Sequence, residues 1–253
     1  MLVMTRDKGE GYIAQGLAVA DCLAVLYFGE LRHDPARPDW PDRDRFVLST
    51  GHYSLAMYAV LAEAGYLDPA SLVSYGLDGS DLPMSTFDTT PGVEVVGGSL
   101  GQGLGQAVGM ALGLRLDGRS SRVFCELSDG ELQEGSTWEA AMAGATFGCD
   151  NLVALLDCNG VQADGPVTVA LEPVAAKWAA FGWDVAEVDG NSVDALAAAL
   201  AGARAADGRP KVVVMRTTPG FGVASLMARP RAHFVRMTDP EWTVALGELE
   251  SSR

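Results

Sequence analysis

Basic side chains are scarce in this 253-residue sequence: 18 lysines and arginines face 33 aspartates and glutamates, for a formal charge of −15. A surface of that sign repels phosphate backbones and anionic lipid, which argues against nucleic acid and membrane as partners. An anionic ligand then needs a local site built from backbone N–H groups, a cation or a bound metal. No apolar run reaches the roughly 18–20 residues that span a bilayer. The start, Met1 to Gly9, has no apolar stretch of the signal-peptide kind, so a cytoplasmic protein is expected. Four cysteines occur (Cys22, Cys125, Cys149 and Cys158), with no Cys-x-x-Cys pair and no zinc spacing. Buried, reduced thiols are the expectation. Repeats and long linkers are lacking as well, so residues 1–253 read as one α/β domain large enough to bury a core.

What is present is strand–helix alternation. Apolar runs at Val123–Leu127, Leu152–Asp157, Trp183–Val188 and Val212–Arg216 have the look of buried parallel strands, with a further short strand at Arg45–Ser49. Helical spacing covers Gln15–Gly29, His52–Ala64, Pro69–Tyr75, Gly101–Leu116, Ser136–Phe147, Glu172–Phe181, Val193–Ala206 and Pro240–Glu250. Asp34–Asp44 and Pro83–Gly98 read as loops. The pattern predicts a mostly parallel sheet with helices on both faces, in which ligands bind beyond the carboxyl ends of the strands.

Two of those ends carry chemistry. Leu127 is followed by Ser128-Asp129-Gly130-Glu131-Leu132-Gln133-Glu134-Gly135, and Leu156 by Asp157-Cys158-Asn159-Gly160-Val161, about thirty positions later. Asp-Gly or Asn-Gly alone is ordinary turn chemistry. On neighbouring strand tips, a carboxylate, an amide oxygen and a backbone carbonyl form a hard oxygen set suited to Mg²⁺ or Ca²⁺, completed by diphosphate oxygens and water. Gly130 permits close backbone approach, and the next helix offers N-terminal amides to an anion. The run Gly101-Gln102-Gly103-Leu104-Gly105-Gln106 is a poor dinucleotide loop, because glutamine stands at the third glycine and no strand leads into it.

The pair of strand tips resembles the thiamine-diphosphate motif, and Glu131-Leu132-Gln133-Glu134-Gly135 resembles transketolases in particular. Leu31 to Pro35, Trp40 to Ser49, Pro91 to Val95 and Gly98 to Leu104 extend the likeness through nearly the whole chain. The resemblance implies the diphosphate-binding fold of that family, thiamine diphosphate as cofactor, and a cation held by Asp129, Asn159 and the Val161 carbonyl. It places Gly130 at the diphosphate, counts Glu131 among the cofactor-binding residues, and sets Ser99, Leu100 and Gly101 along the cofactor rings. Glu134 joins a buried acidic network that crosses to a partner.

Of three histidines, His33 reads as a packing residue. His52 and His233 match family histidines that reach cofactor and substrate, and neutral imidazole suits proton handling on ketose hydroxyls. Two family histidines are replaced, by Tyr12 and at the Met84-Ser85-Thr86 segment; Ser128 replaces the first motif glycine, and Pro219 to Val223 replaces a Lys-Gly-Lys-Gly-Val pattern. The cofactor face is kept while the substrate face differs, so the acceptor is expected to be other than an ordinary sugar phosphate, with a carrier-bound acceptor in specialised metabolism as one option. The family reaction transfers a two-carbon ketol unit from a ketose, with the cofactor as electron sink. It needs a pyrimidine-binding domain that has no counterpart in this sequence. The chain is therefore expected to be inactive alone and to pair with a second subunit as an α₂β₂ transferase. The alternatives are a two-oxoacid dehydrogenase subunit and a non-catalytic scaffold relative.

Overall fold

Alternation of side chains along each strand decides which layer a residue joins. The computed structural model, which describes residues 1–163 and 165–251, contains a five-stranded sheet built from β2 (Arg45–Leu48), β3 (Val123–Ser128), β4 (Leu152–Cys158), β7 (Asp184–Asp189) and β8 (Lys211–Arg216). Its order is β2-β3-β4-β8-β7, and every pairing is parallel. Phe46, Leu48, Phe124, Val153, Leu155, Val213 and Met215 face one layer, formed by α3 (Ala20–Val25), α4 (Ser54–Glu63) and α8 (Val193–Gly202). Val47, Val123, Cys125, Leu127, Leu152, Ala154, Leu156, Val212 and Val214 face the other, where α5 (Gly103–Leu116), α6 (Gly135–Thr146) and α7 (Val174–Ala180) pack. Two-sided burial explains why β3 and β4 read as continuous apolar runs. All four cysteines are free and buried.

A third cluster joins the ends of the chain. Leu2 in α1 (Leu2–Arg6), together with Ile13, Ala14 and Leu17 in α2 (Ile13–Ala18), packs against Val223, Leu226 of α9 (Ala224–Met227), and Trp242 and Ala245 of α10 (Asp239–Ser251). Beside it β1 (Glu10–Gly11) pairs antiparallel with β9 (Val235–Arg236). The ladder carries Tyr12 and His233 to the carboxyl end of the main sheet. A short hairpin of β5 (Val161–Gln162) and β6 (Gly165–Pro166) follows β4.

Local structure departs from the periodicity in three places. The expected helix Gln15–Gly29 is split at Val19, whose φ −99°, ψ 2° ends α2, and it finishes as a π-turn over Leu26–Glu30. Pro69–Ser74 is a 3-10 turn capped by Asp68, whose carboxylate accepts from the Ala70 amide. The expected helix at His52 begins one turn late: Gly51–Tyr53 is 3-10 and α4 starts at Ser54. Among the described residues no helix is long and apolar enough to cross a membrane.

Candidate active site

Parallel register brings the two motif tips together. Ser128 lies opposite Asp157, and the Asp129 amide donates to the Asp157 carbonyl at 2.8 Å. Asp129 caps the turn Gly130–Gln133. One carboxylate oxygen accepts from Gly130 N–H (2.8 Å), and the other reaches across to Gly160 N–H (2.6 Å). The side chain is only 5% exposed, and burial raises its pKa against those two backbone donors. On the other tip, Asn159 Oδ1 accepts from Val161 N–H at 2.8 Å. The Asn159 amide nitrogen donates to Asp157 Oδ2 (2.6 Å) and to the Tyr53 hydroxyl (3.1 Å).

Behind these tips two buried glutamates grip the loop that presents His52. Glu131 accepts from the Ser49 hydroxyl and, at 2.6 Å, from Gly101 N–H, while Ser49 Oγ accepts from Gly103 N–H at 3.1 Å. Glu126, on β3, accepts from the Thr50 hydroxyl. Desolvation raises both carboxyls, Glu126 far above the usual carboxylate range. Close backbone approach completes the floor: a Cβ on Gly51 would overlap the backbone of Gly97 and Gly98, and one on Gly101 (φ +84°) would meet Glu134 and Ser136.

The cleft above has a volume of about 380 Å³, and its walls include Tyr12, His52, Ser85, Leu100, Glu134 and His233. Gly130 and Val161 also line it, whereas Asp129 and Asn159 line a second cavity of about 430 Å³. His52 and His233 stand 5.3 Å apart by ring centroids, and the Tyr12 ring meets each edge-on, at 4.8 and 5.3 Å. Burial, then the neighbouring His233, lowers His52 to about 3, so it is a neutral imidazole at physiological pH. With its amide nitrogen toward the late loop, Gln15 donates to the carbonyls of Ala232 (2.7 Å) and His233 (3.1 Å), fixing that backbone.

Of the residues named from the sequence, His52, Leu100, Gly130, Glu134, Val161 and His233 line one cleft, and Asp129 and Asn159 line the second cavity. Ser99 is exposed beside the cleft, whereas Leu100 is in its wall. Glu131 is fully buried and reaches Gly101 and Ser49 rather than open space. Within this chain Glu134 is solvent-exposed in the wall of the cleft. His33 packs between Tyr27 and Tyr66, bonding the Tyr27 carbonyl at 2.9 Å. Sequence reasoning missed Tyr53, Asp157 and Thr217. The available signal was Asp157 two residues before Asn159 and Tyr53 directly after His52.

The donor set fits a hard divalent cation. Asp129 and Asn159 present carboxylate and amide oxygens from adjacent strand tips, and Val161 follows with its backbone carbonyl. Among the described residues no three His, Cys, Asp or Glu side chains gather into a cage. Two such protein side chains leave coordination positions for phosphate oxygens and water, as Mg²⁺ requires.

Fold and site together define a thiamine-diphosphate-binding α/β domain: residues 3–245 match the family described as the transketolase thiamine diphosphate binding domain. The chain is 48% identical over 254 residues to the transketolase family protein y4mO of Sinorhizobium fredii, covering 99% of this chain and 91% of that one. It is 38% identical over 245 residues to the 6-deoxy-6-sulfo-D-fructose transketolase subunit SqwG of a Clostridium species, covering 96% and 89%. The solved transketolase of Leishmania mexicana superposes with a TM-score of 0.90 at 31% identity, covering 98% of this chain and 39% of that enzyme. The chain thus spans about two fifths of that structure. It belongs to the transketolase family.

Proposed function

We propose that this chain is the diphosphate- and metal-binding subunit of a two-component transketolase-like transferase. It moves a two-carbon ketol unit from a ketose to an acceptor, and it works only with a second chain that carries the pyrimidine-binding domain, as an α₂β₂ assembly. The observation that carries this reading is the pair of strand tips: Asp129 and Asn159 line one cavity, and their neighbours Gly130 and Val161 line the cleft walled by His52, His233, Leu100 and Glu134. The naming of SqwG as a transketolase subunit supports the two-chain organisation.

In this reading Asp129, Asn159 and the Val161 carbonyl hold Mg²⁺ (or Ca²⁺), and Gly130 lets the diphosphate approach. Bound thiamine diphosphate supplies the electron sink for cleavage of the ketose C2–C3 bond. His52, kept neutral by burial, donates to or accepts from a substrate hydroxyl without carrying charge into the cleft. His233, beside it in the same wall, bonds a neighbouring substrate hydroxyl, its backbone held by Gln15. Glu134, open at the rim, is the carboxylate the second chain covers, and its burial there completes the acidic network.

Tyr12 supports a narrower statement about the acceptor. Its ring packs edge-on to His52, His233 and Phe234, so the wall here is aromatic. Together with Ser85, it leaves this side without two imidazoles that would grip sugar hydroxyls. The acceptor is accordingly other than an ordinary sugar phosphate aldehyde, with a carrier-bound acceptor as the alternative class. Purified alone, the chain should show no ketol transfer, and adding its cognate second chain should restore it. Robust turnover by the single chain rejects the two-component reading, and ordinary kinetics with xylulose 5-phosphate and ribose 5-phosphate rejects the acceptor assignment.

A further inference from the structure

The amide of Asn159 has only one orientation open to it. An Asn side chain can turn its oxygen and nitrogen end for end, and its hydrogen-bond partners decide which end points where. Here Val161 N–H donates to one end at 2.8 Å, which requires oxygen, and the Asp157 carboxylate accepts from the other at 2.6 Å, which requires nitrogen. Tyr53 closes the triangle. Its hydroxyl donates to the same Asp157 Oδ2 at 2.9 Å and accepts from the Asn159 nitrogen at 3.1 Å. Both amide hydrogens are therefore used on the side away from the Val161 turn. Thr217 donates to the second oxygen of Asp157. That carboxylate is fully buried, as is the Tyr53 ring, so neither partner can drift to solvent.

Asp157 also acts on the other strand tip, because its carbonyl accepts the Asp129 amide at 2.8 Å. One residue thus sets the position of Asp129 through its backbone and the rotation of Asn159 through its side chain.

We propose that Asp157 and Tyr53 are positioning residues for the cation site: they hold the Asn159 amide with its oxygen turned toward the ion, and the Asp157 carboxylate increases the donor strength of that oxygen. The proposal rests on the metal-binding role given above to Asp129 and Asn159. A carboxylate behind a metal ligand fixes the ligand's orientation and raises its basicity, and losing such a partner typically weakens metal binding about 10–100-fold. In Asp157→Asn the residue at 157 can itself turn its amide, so the Asn159 nitrogen loses its obligatory acceptor. In Tyr53→Phe the ring and its packing remain, while one acceptor of the Asn159 nitrogen and one donor to Asp157 disappear.

The test is a titration of Mn²⁺ into the reconstituted two-chain protein with thiamine diphosphate present, following free Mn²⁺ by electron paramagnetic resonance. Asp157→Asn is expected to bind Mn²⁺ at least about 10-fold more weakly than wild type, and Tyr53→Phe more weakly by a smaller factor. Turnover of both variants is expected to recover toward the wild-type kcat at saturating Mg²⁺, which a general loss of structure does not allow. Should Asp157→Asn fail to fold, Tyr53→Phe decides alone. Mn²⁺ affinity within about twofold of wild type in the folded variants overturns the inference and leaves the proposed function standing, given an effect of that class of partner near 10-fold or more. A wild-type pair that takes up no metal overturns both.

Discussion

The imidazoles of His52 and His233 stand 5.3 Å apart, although one follows β2 and the other precedes the strand that pairs with the chain's first. Tyr12 touches both rings, so the three side chains form one wall of the cleft. Groups that act as a unit on one substrate are not additive when removed. His52→Ala and His233→Ala are each expected to lower kcat/KM of the reconstituted pair by roughly 10²–10⁴-fold, the range of positioned acid–base groups. The double variant is expected to lose less than the product of the two. Steady-state kinetics on the three variants measures this, and strict multiplicativity would show that the rings act separately.

A pH dependence follows from the depressed His52. In the unfolded chain this imidazole takes up a proton near its ordinary value of 6.5, whereas in the folded chain it refuses one until about 3. Its contribution to stability is therefore complete above pH 6.5 and shrinks as pH falls through the window below. Wild type should lose more Tm than His52→Asn between about pH 7.5 and about pH 5. Thermal scans in matched buffers decide, and parallel slopes contradict the buried, neutral imidazole.

The clamp made by Glu131 gives a stability prediction. Its carboxylate is buried and takes hydrogen bonds from Ser49 and Gly101, so Glu131→Ala strands two donors away from water. Each orphaned buried group costs about 1–3 kcal/mol. Urea unfolding should show a loss in that range or above it. Because Gly101 directly follows Leu100 and Ser49 leads into His52, both in the cleft wall, thiamine-diphosphate affinity of the reconstituted pair should fall as well.

Gly51→Ala tests the close approach that seats His52. The added methyl would overlap the backbone of Gly97 and Gly98, which cannot rotate away as a side chain could. Overpacking of this kind costs about 1–3 kcal/mol. The variant should show a lowered Tm together with reduced turnover, and an unchanged protein would mean that the two loops are not locked.

Much of this was legible in the sequence because parallel strands buried on both faces are written as uninterrupted apolar runs. Asp129 and Asn159 then fall at strand ends, where a α/β sheet binds ligands. The rest needed contacts that local pattern does not encode. The β1–β9 ladder pairs Glu10 with Arg236, and without it neither Tyr12 nor His233 could be placed in the same wall. The break at Val19 and the π-turn at Leu26–Glu30 leave the apolar spacing intact, so one helix was expected where three segments occur. Glu131 and Glu134 look alike in sequence, yet one is sealed beneath Gly101 and the other lies open at the rim. Asp157 reads as the last residue of an apolar strand, and its hold on Asn159 emerges only when Tyr53 arrives from α4's leading turn.

The central claim is that Asp129 and Asn159 hold one divalent cation with thiamine diphosphate, and calorimetric titration of Mg²⁺ and cofactor into the reconstituted pair tests it most directly. The account predicts one site per copy of this chain in the wild type, abolished by Asp129→Ala and weakened at least about 10-fold by Asn159→Ala. Undiminished binding of metal and cofactor by Asp129→Ala would contradict it.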